Sequence, residues 1–581
     1  MAGHHSRVPW HGPAPWLRLK DWLVLERQNL WVAVVYSIAI GLLSLALPLA
    51  TQSLVNTVAF GSVLQPLFAL TIILLVFLAF SSVLQVLRTW VVENLQRRIF
   101  VQVASDSLHR MLNARLSAFD GTHPPEMVNR FLEVVNVQKG ASILLVDGLT
   151  IIMQTVIGMA LLAVYHPFLG ILDFFLVVGI GAVIWPLGAG SVKTAVLESK
   201  ARYGLVAWLQ EVGRHWLAFK SRAGSLYAAE RANQLVEDYL QYRNKHFRVL
   251  LRQIIGSLTL QTVASAALLG VGGWLVIGRE LTLGQLIASE LVLTLVVSGF
   301  AKFGKQLETY YDLCAAVDKL GYLTDLDTET SGPDTMASGP PAMVELKNLT
   351  FAYPGKAATI REVTLRVAPG ARVGVAARSG EGKSTLIDLI WRLRTPQSGV
   401  VEIDGNDIRN YDLTSLREQV AVVRVNEIFH GTVAENVGLA QPHLKTGDLR
   451  EALQAVGLLE EISALPAGME TPLSTFGLPL SQSQALRLAL ARAIVSRPRV
   501  LIVDEVLDQI DDPATRRVLL HTLFDPRAPW TLLVFTENDS VLALCDQVFV
   551  LRNGYLEPSS PLAALALPES NNRPLEPRSG D

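Results

Sequence analysis

Apolar runs long enough to cross a bilayer, which takes about 20 residues, fall near 29–56, 64–91, 140–164, 167–190, 254–278 and 282–302. Short turns at Gly61, at His166-Pro167 and at Gly278-Arg279-Glu280 join them in pairs. The gaps at 92–139 and 191–253 are much longer, amphipathic and charged, and read as helices that continue beyond the membrane. Past about residue 305 the pattern changes to that of a soluble α/β domain. Short apolar β-type runs such as Val373–Ala377 and Val500–Val503 there alternate with helical stretches such as Ser384–Ile390.

Basic residues set the orientation. Arg97, Arg98, Arg110 and Arg115 lie in the first long gap, and Lys193, Lys200, Arg202, Arg214, Lys220 and Arg222 in the second. The short turns carry few, so both long gaps and both termini are placed on the cytoplasmic side. Gln52, Asp147, Gln154, Asp173, Gln261 and Glu290 are polar positions within spans. A carboxylate at bilayer depth costs several kcal/mol, so Asp173 and Glu290 are read as facing a cavity or a partner, for structural bonding or for cargo contact.

Composition agrees with a membrane half and a soluble half. Half of the 581 residues are hydrophobic and 18% are charged, and the mean hydropathy is +0.34. A net charge of −2 gives no basic field for nucleic acid. The two cysteines, Cys314 and Cys545, fit neither a disulfide framework nor a zinc site and read as packing residues. The first 26 residues lack the apolar core of a signal peptide. Residues 326–342, rich in Ser, Gly, Pro and Asp, read as a linker that buries little, and the tail beyond 560 as disordered.

The candidate chemistry lies in the soluble half. Residues 377–384, Ala-Arg-Ser-Gly-Glu-Gly-Lys-Ser, join a β run to a helix. Gly380 and Gly382 let the backbone wrap around phosphate, where N–H groups and the helix dipole supply positive potential. Lys383 then reaches the β- and γ-phosphates, with Ser379, Glu381 and Thr385 beside it, and Ser384 ligates Mg²⁺. The expected first glycine is Ala377, a costly change only where that position needs positive φ. Val500–Val503 end in Asp504, a Mg²⁺ partner through water, and Glu505, which polarises the attacking water.

With Tyr353, Leu480-Ser-Gln-Ser-Gln484, Asp511 and Gly554, this set resembles the ATP-binding cassette, and six spans ahead of it resemble a half-transporter of the ABC exporter class. The resemblance implies a multi-domain fold: an all-α six-helix transmembrane domain, then an α/β P-loop NTPase cassette. Its expected bounds are a cytoplasmic segment 1–26, a membrane domain 27–325, the linker 326–342, a nucleotide domain 343–560 and the tail 561–581. It further implies ATP and Mg²⁺ as cofactors and Tyr353 as the aromatic that stacks on adenine. Two such chains, identical or different, would sandwich two ATPs, each held by one chain's phosphate loop and the other's signature segment. Membrane lipid is a partner, a bacterial inner membrane the location, and there is room for a periplasmic adaptor.

The sequence departs from that family at several points. The signature Leu-Ser-Gly-Gly-Gln becomes Leu480, Ser481, Gln482, Ser483, Gln484. Ser481 still caps a helix, but Gln482 and Ser483 place side chains where close approach is wanted. By alignment, the Q-loop glutamine becomes Arg424, the switch histidine Glu537, and the glutamate ahead of the signature Thr475. Arg424 and Glu537 would flank one γ-phosphate. They are expected either to pair with each other or to have drifted independently. Phe119–Glu126 with Asn129-Arg130, and residues 211–222, match the places of the two coupling segments. Only about 26 residues precede the first span, which leaves no room there for a peptidase-like domain.

These residues support an ATP-driven exporter subunit with slowed hydrolysis, with peptide or protein as the favoured cargo and lipid and drug-like molecules left open. The alternatives are a pseudo-ATPase subunit supporting an active partner and a nucleotide-gated or regulatory membrane protein.

Overall fold

The computed structural model describes residues 17, 26–59, 64–120, 124–424, 428–439, 441, 443–475 and 477–559. The tail and most of the N-terminal segment lie outside the described residues, as do the middle of the first coupling segment and the Gly61 turn. The chain forms two compact units, Met1–Ala114 with Ala118–Thr328 and Arg115–Ser117 with Glu329–Asp581.

The first unit is helical. Its main elements are α1 (Arg27–Ser44), α2 (Ala46–Ala59), α3 (Leu64–Leu112), α4 (Glu133–Ile143), α5 (Leu149–Tyr165), α6 (Pro167–Ile184), α7 (Ser191–Arg214), α8 (Arg222–Ile277) and α9 (Leu283–Thr324). A π-helical turn, Leu144–Gly148, links α4 to α5. Among the described residues five helices are long and apolar enough to cross a membrane. The sixth expected span corresponds to a shorter apolar stretch, Leu283–Val296, at the start of α9.

Helix contacts within this unit are close because small residues sit at them. A Cβ on Gly158 would lie 3.0 Å from Val292 on α9, and one on Gly41 would lie 2.8 Å from Ile157 on α5. Asp173 is buried inside the helical unit, whereas Glu290 lies on an exposed face. Burial supports an inward role for Asp173, and the exposure of Glu290 agrees with a residue that faces a cavity or a partner. Arg88, buried within α3, donates to the hydroxyls of Ser37 and Thr150, a polar contact not foreseen from sequence. Between the turns, His166 Nε2 meets Glu280 at 3.0 Å.

The second unit holds two main sheets. Strands β1 (Val344–Ala352), β2 (Ala358–Val367), β4 (Ser398–Ile403) and β5 (Asn406–Asp407) form an antiparallel sheet in the order β2-β1-β4-β5. The other contains β3 (Arg372–Ala377), β6 (Val420–Val423), β7 (Val500–Asp504), β8 (Thr531–Phe535), β9 (Gln547–Arg552) and β10 (Tyr555–Ser559). Its order is β10-β9-β3-β8-β7-β6, parallel except for the final hairpin. The central strands are largely apolar because both faces are buried, one against a helix and the antiparallel sheet and the other against helices. Among those helices are α10 (Lys383–Ile390), α11 (Thr446–Ala455), α12 (Leu459–Ser463), α13 (Gln482–Val495) and α14 (Pro513–Leu523).

The stretch read as a bare linker is more than that. Met336 and Ala342 are buried in the core of the second unit, Glu329 pairs with Arg417 at 2.7 Å, and Ser331 donates to Asp412 at 2.7 Å. Its polar composition hid two apolar anchors and a set of side-chain bonds. Cys314 and Cys545 are free and buried, as expected of packing residues.

Candidate functional site

Strand order alone gathers the site. β3, β8, β7 and β6 are neighbours running in parallel, so the loops at their carboxyl ends open side by side, where such sheets bind ligands. The register pairs Phe535 with Asp504 and with Val375, and Val423 with Val503. Lys383, Glu537, Glu505 and Arg424 follow within a few residues of those strand ends.

The phosphate loop has the local geometry its sequence asks for. Gly380 and Gly382 take φ of +88° and +107°, conformations an L side chain rarely adopts. Gly382 ends the loop and Lys383 opens α10. Ala377 is the last residue of β3 with no positive φ, so alanine for glycine there is nearly silent. Its carbonyl accepts from Lys383 Nζ at 2.8 Å. Glu381 fixes the loop from the other side, its carboxylate accepting the Asn553 N–H at 2.6 Å beside Gly554.

Lys383 is buried and ion-paired to Glu505 and, at 3.2 Å, to Glu537. Burial alone would lower its pKa, but the two carboxylates outweigh burial and raise it. Glu505 takes a left-handed φ of +55°, an uncommon conformation for a side chain of this size, and its N–H donates to Phe535 at 2.9 Å. Asp508 accepts from the Thr536 hydroxyl and, at 3.3 Å, from the Glu537 N–H. It thereby ties the loop after β7 to the switch position.

Arg424 and Glu537 do not pair with each other here. Arg424 Nη2 lies 2.8 Å from Asp388 and Nε 3.5 Å from Asp504, while Glu537 turns to Lys383. Each meets a nearer opposite charge: Arg424 that of Asp388, one helical turn after Ser384, and Glu537 that of Lys383. Burial raises the pKa of Asp504, with Arg424 as the main opposing influence.

Asp388 also holds Arg394 at 3.3 Å, and both side chains are over nine-tenths buried. The Arg394 guanidinium stands 4.7 Å from the centre of the Tyr353 ring. The Tyr353 hydroxyl bonds to Thr385 at 3.0 Å, which brings the expected base-stacking aromatic to the first turn of α10. Asp388, Arg394 and Asp508 lie outside the sequence motifs, and their roles emerge only from the partners that the fold brings to them.

The signature segment forms the start of α13. Ser481 accepts the Gln484 N–H at 3.3 Å and Gln484 accepts the Ser481 N–H at 2.7 Å, a reciprocal cap. Gln482 is exposed and donates to Gln509 at 3.1 Å, and Ser483 is half-buried beside it. Gln484 also donates to Glu461, which holds the buried Arg487.

Mg²⁺ in phosphate sites takes one or two carboxylates and completes its shell with phosphate and water oxygens. The donors assigned to it are Ser384 and Asp504, and among the described residues no larger acidic or His/Cys cluster exists. Arg424 lies 3.5 Å from the Asp504 carboxylate and meets Ser384 at its carbonyl, 3.5 Å away, not at the hydroxyl that would ligate. As arranged, the carboxylate donor already faces a guanidinium, so the pair does not fit the ion unless that contact gives way.

A strand–loop–helix phosphate cradle, a carboxylate pair ending the neighbouring strand and a capped signature helix, behind a helical membrane unit, define an ABC transporter. The chain belongs to that family: the ABC transporter transmembrane region matches residues 30–299 and the ABC transporter cassette residues 360–508. Among curated relatives, it is 25% identical to the cyclolysin secretion/processing ATP-binding protein CyaB of Bordetella pertussis, over 92% of this chain and 75% of that one. It is 26% identical to the leukotoxin export ATP-binding protein LtxB of Aggregatibacter actinomycetemcomitans, over 91% and 75%. The structure of a bacterial Atm1-family ABC exporter with ATP bound shares the fold, with a TM-score of 0.81 at 22% identity over 93% of this chain and 96% of that one. The chain is thus an ABC exporter subunit with a nucleotide-binding cassette. The pseudo-ATPase alternative draws no support from these comparisons.

Proposed function

We propose that this chain is one half of an ATP-driven exporter in a bacterial cytoplasmic membrane, with both termini inside, that moves a peptide or protein outward. The convergence of Lys383, Glu505, Glu537 and Arg424 at four adjacent strand ends carries the reading. ATP would place its phosphates over Gly380 to Ser384, with the base near Tyr353. Lys383 would exchange its carboxylate partners for phosphate oxygens, and a released Glu505 would take a proton from the attacking water. Ser481 to Gln484 would face the nucleotide of a second chain, identical or different. The secretion and export named for the relatives supports a polypeptide cargo, and lipid and a periplasmic adaptor are the further partners.

The test is ATP turnover by the purified full chain in lipid beside Glu505→Gln. Turnover that the substitution abolishes supports the reading, and equal rates would overturn it. Chains that co-purify decide between a homodimer and a heterodimer.

A further inference from the structure

We propose that Arg424 is the cation of this nucleotide site, so that ATP is held without a divalent ion. The inference rests on the nucleotide-binding reading above. Arg424 stands directly after β6, and the β6–β7 register sets it beside Asp504. Its guanidinium contacts Asp388, Asp504 and the backbone of Ser384. Asp504 is one of the two residues that would otherwise hold a metal.

The arrangement is anchored. Asp388, 8% exposed, grips Arg424 at 2.8 Å and is itself held by Arg394. Arg424 is 26% exposed and Asp504 12%, so the pair is partly screened from water but open enough for a ligand to reach. A guanidinium keeps its charge at every physiological pH and offers several N–H donors in one plane, which match phosphate oxygens in pairs. An ion entering at Asp504 would meet that fixed positive charge. Arg424 can turn from Asp504 to a phosphate oxygen while Asp388 still holds it, whereas a metal would have to displace it from Asp504.

The experiment is equilibrium binding of radiolabelled ATP to the full chain in lipid nanodiscs, with Mg²⁺ or with excess EDTA. Wild-type affinity is expected to differ between the two buffers by less than about threefold. Arg424→Gln is expected to lose about tenfold to hundredfold in EDTA relative to Mg²⁺, the range of one charge-assisted contact, and Arg424→Lys to lose less. A wild-type chain that binds ATP only with Mg²⁺ would overturn the inference and leave nucleotide binding intact. ATP retained in neither buffer would overturn the nucleotide reading itself.

Discussion

Lys383 has two carboxylates on it, and a phosphate has to displace at least one to bind. Glu505 is needed for water activation in the proposed reaction, but Glu537 is a surplus negative charge beside the γ-phosphate position. Glu537→Gln should therefore tighten ATP binding. The gain is expected to be about twofold to tenfold, since Glu537 is more than half exposed and solvent screens it. Lys383→Ala should weaken binding at least about tenfold, because it removes the charge buried deepest in the cradle. Isothermal titration of both variants checks the two directions.

At the scale of elements, α12 and α13 are held together by Glu461. Its carboxylate accepts from Gln484 and from both terminal nitrogens of Arg487, whose side chain is 6% exposed. Glu461→Ala would leave the terminal nitrogens of that guanidinium with the Gly457 carbonyl as their hydrogen-bond partner among the described residues and destabilise the second unit by about 2 kcal/mol, seen as a lower melting temperature. In the helical unit, Lys319 near the end of α9 is buried against the Tyr203 and Tyr322 rings. Burial, then Arg130, lowers its pKa from 10.5 to about 8. Between those values only the unfolded chain holds the proton, so stability should rise with pH, by up to about 2 kcal/mol by pH ~9.5. Thermal unfolding in lipid should show that gain in the wild type and lose it in Lys319→Met.

Much of this was legible in the sequence. Hydrophobic run length located the membrane helices, and the glycines at 380 and 382 located the phosphate loop, because each is dictated locally. The partners of Arg424 and Glu537 were not legible. They depend on which strand ends lie side by side, and β6, β7, β8 and β3 are separated by long stretches of chain. The anchors of the linker were hidden for a related reason: Met336 is one apolar residue in a polar run, and only the core it enters gives it weight.

For the whole molecule, the two cysteines fall one in each unit, Cys314 on α9 and Cys545 before β9. Burial raises both thiols, that of Cys545 to about 12, so neither should react with a maleimide in the folded protein at pH ~8. Stepwise heating followed by labelling and peptide mapping should then expose each thiol as its own unit opens. Two separate midpoints are expected, since units with their own cores need not melt together. Coincident midpoints would show that the units unfold as one.

Gln482 bonds to Gln509, and Gln509 lies four residues past Glu505 on the same loop. The face this chain would lend to a neighbour's nucleotide is therefore fastened to the loop that serves its own. In a pair of such chains, a change at one site would reach the other along that fastening without passing through the membrane unit.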